Sequence, residues 1–219
     1  MGATISVVIT SRDTGRYLRE CLESVLAQER PADEILVVDD ASADETRAIA
    51  ARYADRGVRY ERVDYRSLGR SYNHGIAATD GELIAILDAD KALLPPFLGT
   101  LAAALDADAG LGFAYPDWLW AGEFGAPIWR ELGVVQGMPF RGGPPDPAAL
   151  VHRNIVDGVA LVRRSAVAAV GGFGDLPALW DYRLWVALLE AGWRGHHVAA
   201  PLYHYRLHRD AAVLATRAQ

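Results

Sequence analysis

Apolar and polar positions along the first part of the chain follow two alternating periods. Residues Ile5 to Thr10 (ISVVIT) form an almost continuous apolar run, which suits a strand covered on both faces. Leu18, Cys21, Leu22, Val25 and Leu26 then recur at the spacing of one helix face. Asp13 and Thr14 stand where either can cap the first turn, and Pro31 closes the exit. Glu34 to Val38 (EILVV) predicts a second strand that delivers Asp39 and Asp40 at its carboxyl end. Ser42, with Glu45 three residues on, predicts a capping box for the next helix. Val58 to Val63 and Arg70 to Ala78 predict a third strand and helix. Leu83 to Leu87 predicts a fourth strand, ending in Asp88, Ala89 and Asp90, and another helix begins near Pro96. Strand–helix units repeated in this way build a mainly parallel sheet, so the fold class is α/β.

Regularity fades between Pro116 and Arg153, where Gly, Pro and Trp are dense and a long shaped loop is expected. The pattern returns with a strand at Gly158 to Val162, a turn at Gly171 and Gly172, a helix from about Leu179 to Ala191, and a final segment from Tyr203 to His208. No repeat, low-complexity linker or change of composition divides the 219 residues, so a single domain over 1–219 is expected.

Composition removes several classes of function. The net charge of −6 comes without any Lys/Arg block, so nothing marks a surface for DNA or RNA. No segment approaches the ~20 apolar residues of a membrane span. The lone cysteine, Cys21, lies in an apolar helical pattern, where it acts as a small hydrophobe and fits a reducing, cytoplasmic setting. No GxGxxG follows the first strand, which argues against a dinucleotide-dependent oxidoreductase.

Ligands of open parallel sheets bind beyond the carboxyl ends of the strands, and two acidic pairs lie there. Asp88 and Asp90 offer hard oxygen ligands suited to Mg²⁺ or Mn²⁺, which can neutralise a diphosphate. One such pair reads equally as a solvated turn. Asp39 and Asp40, on the same sheet edge, shift the balance towards function. Asp181 shares a helix face with Leu184, Trp185 and Leu188, so burial there would raise its pKa and make it a base near neutral pH. The competing role is an acid that favours the helix dipole. His204 and His208 read on their own as surface histidines of an edge strand, and Arg70 as either a phosphate contact or a solvated helix start. Trp118, Trp120 and Trp129 suit either a sugar ring or a core, while Asn73 and Gly75 shape a helix entry.

Five segments carry a resemblance: SVVITSRDTGRYLRECLESVLAQ, EILVVDDASADET, NHGIAATDGELIAILDADKALLPPFL, GGFG and WDYRLWVALLEAGW. In order and spacing, over most of the chain, they resemble family 2 glycosyltransferases of the GT-A fold. The resemblance implies a Rossmann-like αβα sandwich with a nucleotide-binding half (1–115) and an acceptor-binding half (116–219). It implies a hexosyltransferase-like, inverting transfer from a nucleotide diphosphate sugar, a UDP-sugar foremost, to a hydroxyl of a glycan or lipid-linked acceptor. Cell-surface or exported glycan synthesis is the implied setting, in the cytoplasm or peripherally at the inner face of the membrane.

The same resemblance places Thr10, Ser11 and Arg12 around the nucleotide base, Asp40 in a hydrogen bond to it and Asp88 near the ribose; Arg70, as a candidate phosphate contact, joins these nucleotide-binding residues. Asp90 becomes a ligand of Mn²⁺ or Mg²⁺, His208 approaches the metal or diphosphate, and Asp181 is the catalytic base. The chain departs from the family pattern in three places. Lys91 stands where many members carry another acid, and it either weakens metal affinity or contacts phosphate. Trp180 precedes Asp181 where an acid is common, and residues 10–13 replace a Pro, Thr, aromatic, Asn run. The absence of QxxRW favours a single transfer over processive synthesis. The alternative is a nucleotide-sugar-binding module that keeps the fold without turnover.

Overall fold

The computed structural model describes residues 2–122, 136–145, 156–175 and 180–208. Its first part runs β1 (Ile5–Ser11), α1 (Gly15–Leu26), β2 (Glu34–Asp40), α2 (Thr46–Ala51), β3 (Val58–Val63), α3 (Leu68–Ala77) and β4 (Leu83–Asp88). There follow β5 (Ala92–Leu93), α4 (Phe97–Ala107), β6 (Leu111–Gly122), β7 (Pro139–Phe140), β8 (Ala160–Arg163), α5 (Arg164–Ala169), α6 (Trp180–Glu190) and β9 (Arg194–Leu207). One sheet joins them in the order β3-β2-β1-β4-β8-β6-β9-β5, with β7 beside β6. The first four strands are parallel; β8 enters antiparallel between β4 and β6, and β6 and β9 are again parallel. β6 crosses residue 115, so the two halves expected from the sequence share a strand.

The apolar runs belong to strands buried on both sides, and the two-residue period of the strand divides them. Val7, Ile9, Val37, Ala85 and Leu87 pack with Leu18, Cys21 and Leu22 of α1 and Leu98 and Leu101 of α4. Val8, Leu36, Val38, Ile84 and Ile86 pack on the other side with Tyr72 of α3 and Leu184, Trp185 and Leu188 of α6. The connection through α1 therefore covers one face and that through α3 the other. The strand order reverses between β1 and β4, since β2 and β3 lie to one side of β1 and β4 to the other, and this is the switch point at which α/β sheets bind ligands.

Several local expectations are corrected by contacts distant in sequence. Thr14 precedes α1, but its hydroxyl bonds Ser11, and the Gly15 N–H is served by Asp44 Oδ2 at 2.8 Å. Asp13 (φ 53°) instead accepts from Ala43 N–H at 2.7 Å. The capping box does not form: Ser42 Oγ accepts from Asp13 N–H at 3.0 Å, and Asp44 accepts from Thr46 N–H at 3.0 Å. Helix α3 starts earlier than expected, at Leu68, because Ser67 Oγ accepts from Arg70 N–H. The expected loop after Pro116 begins as strand β6, where an irregularity at Pro116–Asp117 tolerates a residue without an N–H. Likewise β9 starts at Arg194 and not at Tyr203, because it pairs with β6 along most of its length. No helix among the described residues is long and apolar enough to cross a membrane.

Candidate active site

At the switch point Thr10 of β1 lies in register with Asp88 of β4. The Thr10 hydroxyl donates to Asp88 Oδ1 at 3.1 Å, and the Tyr72 hydroxyl, reaching up from α3, donates to the same oxygen at 2.7 Å. Burial pushes the Asp88 carboxyl up to about 6; Lys91 opposes the rise and the Asp90 charge adds to it.

Asp90 follows in the turn between β4 and β5 and is only 8% exposed. Its Oδ1 accepts from Lys91 Nζ at 2.8 Å, and its Oδ2 lies 2.9 Å from His208 Nε2. Burial raises this carboxyl too, but Lys91 and His208 outweigh it and hold Asp90 below the ordinary range. Lys91 is 5% exposed, with Nζ 4.0 Å over the ring of Tyr205. Burial works against its charge, yet Asp90 keeps the ammonium well above the ordinary lysine value.

His208, which reads from the sequence as a surface residue, is 3% exposed. The reason is topological: β9 lies between β6 and β5, so its end is carried into the interior and not along an edge. The His208 ring rests 5.0 Å from that of Tyr17, and its Nδ1 has no hydrogen-bond partner among the described residues.

This donor set fits Mn²⁺ or Mg²⁺. Asp90 Oδ2 and His208 Nε2, 2.9 Å apart, have about the separation of adjacent corners of an octahedron with ~2.1 Å bonds. No group of three or more His, Cys, Asp or Glu ligands occurs among the described residues. A cation held here would thus take its remaining ligands from phosphate and water, as small hard cations commonly do.

The acids at the end of β2 do different work. Asp40 Oδ1 accepts from the N–H groups of Tyr65 (2.7 Å) and Arg66 (2.8 Å), and Oδ2 from Ser67 (2.9 Å). Burial raises its carboxyl, but these backbone donors prevail and hold it below the ordinary value. Asp39, fully buried, accepts from Ser42 N–H at 2.9 Å, Tyr60 hydroxyl at 2.5 Å and Arg62 Nη1 at 3.0 Å. Both carboxylates shape the loops that wall this end of the sheet, and the Ser71 hydroxyl also acts on Asp40. Arg70 is exposed and lies 4.6 Å over the Tyr65 ring on the same wall. Arg12 is exposed at the end of β1. The Ser11 hydroxyl turns inward to Thr14 (2.9 Å) and Thr46 (3.3 Å), leaving only its backbone to face a ligand.

Asp181 sits in the first turn of α6 and is 8% exposed. The preceding Trp180 packs against Tyr72 and Phe173. Gly158 fits below: a Cβ there would lie 2.9 Å from the Trp180 ring and 4.0 Å from Asp181 Cβ. Asp181 therefore borders the Asp157–Gly158 turn. Asp157, a site acid that the sequence reading missed, accepts from the Tyr203 hydroxyl at 2.7 Å. Burial pushes its carboxyl up, with Lys91 opposing. The signal available was an acid and a glycine immediately before an apolar strand. Asn73 also does more than shape a helix entry, because its amide exchanges two bonds with the Phe173 backbone at 2.9 and 2.8 Å. Trp118 stacks on Phe140 and Trp120 meets Tyr205 edge-on, so both pack within the aromatic interior. Trp129 lies outside the described residues.

Residues 6–171 match the sequence model of glycosyl transferase family 2. The chain belongs to glycosyltransferase family 2. It is 28% identical over 218 residues to the putative glycosyltransferase EpsE of Bacillus subtilis (strain 168), covering 96% of this chain and 75% of EpsE. It is 32% identical over 208 residues to the O-antigen biosynthesis protein RfbC of Myxococcus xanthus, covering 92% of this chain but 16% of RfbC.

Among solved structures this family 2 chain superposes on S. aureus TarS 1-349 in complex with UDP-GlcNAc with a TM-score of 0.74 at 16% identity. That match covers 97% of this chain and 61% of TarS 1-349. The mannosyltransferase PcManGT from Pyrobaculum calidifontis, in complex with GDP-Man and Mn²⁺, gives 0.70 at 19% identity, over 96% of this chain and 59% of its own. These likenesses give the fold as GT-A. The chain spans about three fifths of the solved chains it matches.

Proposed function

We propose that this chain transfers one sugar from a nucleotide diphosphate donor to a hydroxyl acceptor with inversion, using residues 1–115 for the nucleotide and 116–219 for the acceptor. The observation that carries this reading is the approach of Asp90 and His208 to 2.9 Å across 118 positions of sequence, at the switch point of the sheet. Asp90 and His208 would hold a divalent cation, which would supply charge neutralisation for the departing diphosphate. The remaining work belongs to the chain. The backbone of Thr10 to Arg12 and the loop held by Asp40 enclose the base, and Asp40 hydrogen-bonds it. Asp88, held by Thr10 and Tyr72, meets the ribose. Arg70 lies on the outer wall within reach of the donor.

Asp181 takes the proton from the acceptor hydroxyl as that oxygen bonds to the anomeric carbon. The bond from that carbon to the diphosphate oxygen breaks on the opposite face, and the configuration inverts. A base on the first turn of a packed helix has little freedom, which favours the aligned geometry that in-line attack needs.

A UDP-sugar is the first choice of donor, supported by the UDP-GlcNAc complex of TarS, with GDP-mannose second from PcManGT. The names of RfbC and of the succinoglycan biosynthesis protein ExoO of Rhizobium meliloti (strain 1021) support a glycan or lipid-linked acceptor for a cell-surface or exported polymer. The enzyme then works in the cytoplasm, peripheral to the membrane where the acceptor is lipid-linked. Calorimetry with UDP, GDP and dTDP, each with and without Mn²⁺, tests this reading. Binding of one nucleotide strengthened by Mn²⁺, with the strengthening lost in Asp90→Ala, is expected; failure of all three to bind overturns the reading.

A further inference from the structure

Lys91 has surroundings that a merely structural lysine would not need. Its ammonium carries three donors, and its hydrogen bond goes to Asp90 Oδ1 at 2.8 Å. Its other close neighbour is the face of Tyr205, which favours a cation without satisfying a hydrogen bond. The carboxylates of Asp88 and Asp157 act on the same charge from the neighbouring strand end and turn. Asp90 is also secured from behind, since Arg206 Nε donates to its backbone oxygen at 3.3 Å. Replacing a buried ion pair by apolar residues is often neutral or stabilising, so a buried lysine is poorly explained by stability. In this case the lysine immediately follows the acid assigned to the metal of the diphosphate, which places a positive charge beside the phosphate position.

We propose that Lys91 is a resident cation for the donor diphosphate: its ammonium bonds a diphosphate oxygen, so nucleoside diphosphate binds this chain without a divalent metal. This rests on the transferase reading and adds to it. While Lys91 bonds Oδ1, Oδ2 is the Asp90 oxygen that faces His208. The metal then strengthens a complex that the lysine has already made possible. Only non-covalent contacts change, and no group is transferred in this binding step.

The test is calorimetric titration of the full chain with UDP and GDP, in EDTA and in Mn²⁺, with uridine and guanosine as probes that lack phosphate. Wild type is expected to bind one diphosphate in EDTA within about tenfold of its affinity in Mn²⁺, and Lys91→Met to lose about tenfold or more in EDTA. Lys91→Arg, which keeps the charge, is expected to retain most of the EDTA binding, and the matching nucleoside to bind Lys91→Met as it binds wild type. The arginine variant and the EDTA titration of wild type keep the test decisive if Lys91→Met does not fold. Binding of wild type in Mn²⁺ alone overturns this proposal and leaves the transferase reading standing. So does equal affinity of wild type and Lys91→Met in EDTA. No binding under any condition overturns both.

Discussion

Tyr72 stacks on Trp180, ring centroids 4.9 Å apart and planes 23° from parallel, while its hydroxyl donates to Asp88 at 2.7 Å. One side chain of α3 thus connects the strand end that carries the acidic pair with the helix turn that carries Asp181. Tyr72→Phe keeps the stack and removes the donor, so a loss of about 1 kcal/mol is expected. Tyr72→Ala removes a fully buried ring and should cost about 3–5 kcal/mol. Urea unfolding of the two variants against wild type measures both.

Asp181→Asn preserves shape and removes the proposed base. Transfer should fall by about 10²–10⁴, while calorimetry finds nucleotide affinity unchanged. Equal loss of binding and turnover would assign Asp181 to the fold and not to the chemistry.

Gly158→Ala places a methyl group 2.9 Å from the Trp180 ring, under the turn that carries Asp181. A displacement of order 1 Å at a catalytic group costs about a hundredfold in rate. The transfer rate is expected to drop by about that factor with nucleotide affinity held within about twofold, which separate rate and titration measurements resolve.

Asp40 makes stability depend on pH in one direction. Its carboxyl is held below the ordinary value of 3.8, so the native state keeps it charged where the unfolded chain begins to protonate. Its contribution is therefore full at pH values above the ordinary value and is lost as pH falls through the lower native value. Asp40→Ala should lose about 1–3 kcal/mol at pH 7, since three backbone N–H groups lose their acceptor. The deficit relative to wild type should shrink in urea unfolding series carried from pH 7 down to pH 3, and an unchanged deficit would exclude the charge as its cause.

Strands β2 and β4, and β1 apart from Ser6, are legible in the sequence because burial on both faces keeps their runs apolar, whereas β3 (VRYERV) lies at the sheet edge and carries charged residues. Asp40, Asp88 and Asp90 are legible for the same reason, each following such a run. β6 and β9 escape because Pro116, Asp117 and Trp118 in one, and His196, His197 and Arg206 in the other, hide the alternation. The burial of His208 depends on which strands flank β9, a pairing with no local signature. The caps fail in a comparable way: Thr14 and Ser42 have the right chemistry, but Asp44 and Asp13 reach across between loops about thirty positions apart and take the bonds first.

The parallel pairing of β6 with β9 has a consequence for the chain as it is made. Asp90 and Lys91 leave the ribosome long before His208, which arrives at the end of the last described strand, and a chain begins to fold from its N-terminal part. Until β9 threads between β6 and β5, the acidic turn has no imidazole facing it and Lys91 has no Tyr205 beneath it. A partly synthesised molecule, or one clipped before β9, would then lack the Asp90–His208 pair.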